Sequence, residues 1–212
     1  MNTNNVFDLL ENQKAEYVAE KAMDNPDLIK ELFKGISSAN SRIRFGSAKT
    51  LRIISEKNPR KLYPRMDFFV NLLDSKNTIL KWIAIDIIAN LTAVDTRNEF
   101  NRIFEKFYSC LYEGSLITAG HVVDNSGKIA LAKPELQSKI TEQLMKAEEV
   151  PVPTSECRNI LIGKAINAFN IYFNQIEDKD KVISFVKRQL NNSRNATKTK
   201  AEKFLMKLDM SQ

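Results

Sequence analysis

The chain has 212 residues, 43% of them hydrophobic and 27% charged, which is enough for one well-buried soluble domain or one continuous array. Only six Gly argue against phosphate-cradling loops and all-β architectures, and two Cys with one His cannot make a standard zinc site. The net charge of +6 is unevenly spread: residues 40–65 carry 8 Lys/Arg against 1 acid and residues 179–212 carry 9 against 3, while the rest is mildly acidic. Two basic blocks suit an acidic partner or a phosphate backbone.

Apolar residues recur at spacings of three and four along the whole chain, the pattern of amphipathic helices. The start, MNTNNVFDLLENQKAEYVAEKAM, has no basic segment leading into an apolar run, so no signal peptide is expected, and it reads as one helix over 5–23. Asn25-Pro26, Asn58-Pro59 and Lys133-Pro134 put proline where helices begin, at 26, 59 and 135. Thr96-x-x-Glu99 fits a capping box in the matching place. The predicted helices are 5–23, 26–37, 41–56, 59–74, 77–93, 96–112, 115–132, 135–148, 155–176, 179–191 and 194–208. No stretch has the apolar length needed to span a bilayer. Cys110 and Cys157 read as two reduced, buried thiols, which points to a cytoplasmic protein.

After the first helix the elements fall into pairs. The second members overlay as RFGSAKTLRII, KWIAIDIIANL, AGHVVDNSGKI and LIGKAINAFNI, with Lys49, Asp86, Asp124 and Gly163 at one position. The steps are 37, 38 and 39 residues, and a period of that length with two helices per unit means a helical solenoid. The stretch IRFGSAKTLRIISEKNP, Ile43 to Pro59, resembles the second helix of a HEAT or HEAT-like, armadillo-type repeat, with weaker copies over about residues 26–208. The expected fold is therefore all-α: a single domain over 1–212, a right-handed superhelix of about five helix pairs. Residues 1–25 form the N-terminal cap, 26–193 the repeats and 194–212 the C-terminal cap.

Helical phase divides each second helix. In 41–56, Ile43, Ser47, Ala48, Leu51 and Ile54 face the core, and Arg42, Phe45, Lys49 and Arg52 face away. In the next, Leu80, Ala84, Ile87, Ile88 and Leu91 are core, opposite Trp82, Asp86 and Asn90. Asp124 and Lys128, with His121 at the edge, take the free face of the third. Glu156, Asn159, Gly163, Asn167, Asn170 and Asn174 form a polar stripe on the fourth. The resemblance implies that these faces line a concave surface. A groove graded from basic and aromatic to amide suits an elongated ligand.

Three functions are open on these residues. The first is a non-enzymatic scaffold binding an acidic or amphipathic protein segment, with Arg42, Lys49 and Arg52 supplying charge and Phe45 and Trp82 anchoring apolar groups. The second is nucleic-acid binding through phosphate contacts from the same stripe and from Arg188, Arg194, Lys198 and Lys200. The third rests on Trp82-x-x-x-Asp86, a pair similar to one in bacterial DNA glycosylases built on HEAT-like repeats. The chain departs from those enzymes in having His121 or Lys128 where they have Arg. His121 has no Ser or Cys beside it to activate, and Asp124, three residues on, is placed for a structural hydrogen bond to it. No catalytic residue, metal, cofactor or membrane contact is expected.

Overall fold

A computed structural model describes residues 6–209, and every regular element in them is helical. These residues cluster into two compact units, divided between residues 97 and 98.

The first unit contains α1 (Val6–Asn12), α2 (Ala15–Met23), α3 (Pro26–Gly35), α4 (Ser41–Lys57), α5 (Met66–Leu72) and α6 (Thr78–Leu91). α4 packs between α2 and α6, and α3 and α5 back the stack. Asn25, Asn40 and Asn77 cap the helices that follow them by accepting backbone N–H groups. The expected core residues Ala48, Leu51, Ile54, Leu80, Ala84, Ile87, Ile88 and Leu91 are all buried. Ile43 is only half-buried.

Two expectations need correction here. The segment 5–23 is not one helix: the chain extends at Lys14, between α1 and α2. The break lets Val6 and Leu10 bury separately from Ala15, Val18, Ala19 and Ala22. This segment is a further helix pair rather than a single cap, because α2 packs on α4 as α4 packs on α6. Residues 59–74 are also broken, into 3₁₀ turns at Pro59–Lys61 and Tyr63–Arg65 followed by the short α5. Pro64 has no N–H to donate and disfavours α geometry at Tyr63. The Tyr63 hydroxyl donates to Asp95 at 2.6 Å and accepts from the Arg97 amide at 3.1 Å, which fixes the turn.

The second unit contains α7 (Glu99–Ser109), α8 (Leu116–Ala132), α9 (Gln137–Met145), α10 (Ser155–Tyr172), α11 (Lys179–Arg188) and α12 (Asn195–Asp209). α10 packs between α8 and α12. Ser115, Thr154 and Asp178 cap α8, α10 and α11. The core is aromatic: Phe100, Phe104, Phe107 and Tyr108 pack along α7, Phe169 meets Phe185 at 5.7 Å, and Phe173 meets Phe204 at 5.1 Å. The Tyr108 hydroxyl donates to Ser126 at 3.0 Å, and the Thr141 and Tyr172 hydroxyls bond at 2.9 Å. These four hydroxyls are thus satisfied, as burial requires.

The expected capping box is absent. α7 is entered from Asn98, in the left-handed region at φ 53°, with no side-chain cap. The Asn98 side chain instead accepts from Lys133 Nζ at 2.9 Å, and Lys133 is 4% exposed. A buried ammonium needs that oxygen more than a helix end beside water needs a cap. Cys110 is buried, but Cys157 is half-buried, a departure from two buried thiols, and neither is in a disulfide.

Candidate partner-binding faces

In the first unit the basic face of α4 is largely neutralised. Lys49 Nζ lies 3.0 Å from Glu16, Lys57 Nζ 3.3 Å from Glu20, and Arg52 3.0 Å from Glu56. Glu16 and Glu20 come from α2, so the acids arrive from the neighbouring helix. Glu16 has its pKa held down by a backbone hydrogen bond and by Lys49. Arg65 covers the Phe33 ring at 5.1 Å, and Arg44 covers the Phe45 ring at 4.8 Å while donating to the Ser38 carbonyl. Phe45 is therefore half-buried, with a guanidinium on one face. Arg42 is exposed and has no ion pair among the described residues. Trp82 and Asp86 are half-buried, one turn apart on α6. Asn90 is not a free contact group: its amide donates to Ser55 at 2.9 Å and ties α6 to α4.

In the second unit the polar stripe of α10 splits in two. Its first half is the seat of α12. Glu156 binds Arg194 at 2.7 Å. Asn159 donates to Ser193 at 3.0 Å and accepts from Asn192 at 3.1 Å, while its carbonyl accepts from Thr197 at 2.7 Å. Gly163 is buried, and its carbonyl accepts from Lys200 at 3.2 Å. Asn159 and Gly163 are thus structural, contrary to the expected open stripe, because α12 packs on α10 as α10 packs on α8. The second half stays open. Asn167, Asn170 and Asn174 are exposed, and their amides have no partner among the described residues.

His121 is half-buried, and Lys128 is exposed. The Asp124 carboxylate is bonded by Lys164 Nζ from α10. Lys164, which the sequence did not single out, and Lys200, expected there only as a phosphate contact, lie on the same α8–α10–α12 surface. Burial pushes the Lys200 pKa down, and the neighbouring charges of Lys164 and Arg194 push it further.

The sequence also did not show that an apolar residue of α10 faces outward. Ile171 is 49% exposed and lies across Gly127 of α8, where an added Cβ would come within 2.6 Å of Ile171 Cδ1. Leu131, one turn beyond Gly127, is 44% exposed, and Ile117 on the same helix 53%. A mid-helix glycine was the available signal for this close approach. A separate cleft of about 200 Å³ lies between α9 and the start of α11, lined by Glu135, Glu142, Glu177, Asp178 and Lys181 over Met145 and Ile176.

Among the described residues no group of three or more His, Cys, Asp or Glu is placed to hold a metal. No helix among them is long and apolar enough to cross a membrane.

No protein-family model matches the chain, and no curated protein matches it. Solved structures do. A designed armadillo repeat protein superposes with a TM-score of 0.64 at 15% identity, covering 95% of this chain and 90% of that one. The crystal structure of an engineered protein gives a TM-score of 0.60 at 16% identity, covering 98% of each chain. At these identities the likeness speaks for the fold: the chain is an all-α helical-repeat protein of armadillo-like, HEAT-like architecture.

Proposed function

We propose that the protein is a non-enzymatic binding scaffold whose partner is a polypeptide segment seated on the exposed faces of its second helices. The observation that carries this reading is the α8–α10 surface. There Ile171 and Leu131 expose large aliphatic side chains beside Asn167 and Asn170, whose amides are unbonded. An amide both donates and accepts, which suits a peptide backbone, and the aliphatic pair gives an anchor for an apolar side chain. In this reading His121, Asp124 and Lys128 are further contact residues of the second unit, and Arg42, Phe45, Lys49, Arg52, Trp82 and Asp86 are contact residues of a face on the first unit. The local ion pairs of Lys49 and Arg52 make that first-unit face the weaker one. Cys110 and Cys157, neither of them in a disulfide, fit a reducing, cytoplasmic setting.

The test is a random-peptide display selection on the folded protein, followed by fluorescence anisotropy with the recovered peptides. Ile171→Asp should weaken binding by about tenfold or more, the scale of a central anchor. Arg42→Ala/Lys49→Ala/Arg52→Ala should change it by about twofold at most. Failure to enrich any peptide, alongside oligonucleotide binding that falls steeply with salt, would replace this reading with the nucleic-acid one.

A further inference from the structure

Lys164 and Lys200 belong to consecutive second helices, and each lies along a glycine of the helix before it. An added Cβ at Gly120 would meet Lys164 Cε at 3.4 Å, and one at Gly163 would meet Lys200 Cδ at 3.4 Å and Nζ at 3.5 Å. The glycines let the aliphatic stems lie close to the neighbouring helix while the charged heads stay at the surface.

The heads are served unequally. Lys164 has Asp124, and Arg194 has Glu156 at 2.7 Å. Among the described residues Lys200 has only the Gly163 carbonyl, at 3.2 Å. Three cations and two carboxylates leave one positive charge over, and it sits on the ammonium without an acid partner. Burial, Lys164 and Arg194 all disfavour that charge, and Asp124 offsets them only in part. Clustered like charges in a partly desolvated place are costly until a counter-charge arrives.

Resting on the polypeptide reading above, we propose that Lys200, flanked by Lys164 and Arg194, anchors a carboxylate of the bound segment. A polypeptide supplies that counter-charge as the carboxylate of an Asp or Glu side chain. The anchor also fixes direction. The Lys200 ammonium rests on the Gly163 carbonyl, and Gly163 and Ile171 are eight residues apart on α10, or about 12 Å at the α-helical rise. An extended chain covers that distance in about four residues. The partner therefore carries an Asp or Glu at one end and an aliphatic side chain about four residues away, the first on Lys200 and the second on Ile171 and Leu131. Asn167, between the two, is free to bond the intervening backbone.

The test uses the full chain with ¹³C-labelled lysine and glutarate as the probe, read by NMR at the lysine Cε. Lys200 should shift saturably, joined by Lys164, and its titration midpoint should rise once glutarate is bound. Lys198 and Lys203, both exposed, should follow only bulk ionic strength. Lys200→Gln should abolish the saturable shift at Lys164. Uniform, unsaturable shifts at all four lysines overturn the anchor, as does saturation by inorganic phosphate but not by glutarate. The peptide selection separates the two ideas. Glutarate binding at Lys200 with no enriched peptide keeps the anchor and removes the polypeptide reading. Enriched peptides that need Ile171, carry no acid and ignore Lys200→Gln keep the polypeptide reading and remove the anchor.

Discussion

The two units handle clustered cations differently. Along α4 of the first unit, Lys49, Arg52 and Lys57 each meet a glutamate, two of them supplied by α2. Across α10 and α12 of the second, Arg194 and Lys164 are matched but Lys200 is not. The sequence ranks these regions the other way, since residues 40–65 have the larger local excess of positive charge. In a repeat fold a helix's neighbours in space are about one repeat away in sequence, so a local charge count misses the acids that neutralise it.

The comparison is sharpest in the core, where the units should behave alike. Phe69 and Phe169 are both fully buried. Alanine at either should cost about 3–5 kcal/mol in urea unfolding, as truncation of a packed aromatic does. A much smaller loss at one of them would show that unit to be loosely packed.

Glycine substitutions should separate close helix approach from mere helix propensity. Gly127→Ala places a Cβ 2.6 Å from Ile171 Cδ1 and 3.0 Å from the Ala168 carbonyl, which is backbone and cannot swing away. Overpacking of this kind costs about 1–3 kcal/mol and should outweigh the gain of about 1 kcal/mol from helix propensity. Gly120→Ala meets only the flexible end of Lys164, at 3.4 Å, and should be neutral or stabilising. Thermal unfolding of the two variants reads the contrast directly.

Alkali should test the aromatic core of the second unit. Burial holds the Tyr108 and Tyr172 phenols well above the ordinary tyrosine range, with Ser126 and Thr141 offsetting this only in part. A raised folded-state pKa adds stability that is complete below the unfolded value, about 10, and is lost as pH climbs beyond it. Tyr108→Phe and Tyr172→Phe should each flatten the loss of stability above about pH 10, measured by chemical denaturation across pH.

The smallest effect belongs to the first unit's ion pairs. Lys49 and Glu16 are about half exposed. Lys49→Ala should cost less than about 1 kcal/mol, with the difference fading in salt. A larger, salt-resistant loss would mean that this surface is more than a solvated face.

Helical phase identified what is repetitive. It placed Leu51, Ile54, Leu80 and Ile88 inside, and the recurring starts gave the pairs, because a two-helix unit stamps its period on the chain. What it missed depends on non-local partners. Asn98 gives up a capping role to a buried lysine 35 residues away. The first half of the α10 amide stripe is spent on α12, which single-helix phase cannot reveal. Ile171 reads as a core residue by type, but its phase on α10 turns it outward, beside Gly127 of α8. Pro64 was legible and should have broken the 59–74 helix.

The most direct test of the account is a methyl NMR titration with a peptide recovered by selection. The account predicts that perturbations centre on Leu131 and Ile171, with Ile43, Ile53 and Ile79 of the first unit unchanged. Perturbations confined to those first-unit methyls, with Ile171 silent, would contradict it and return the site to the basic face of α4.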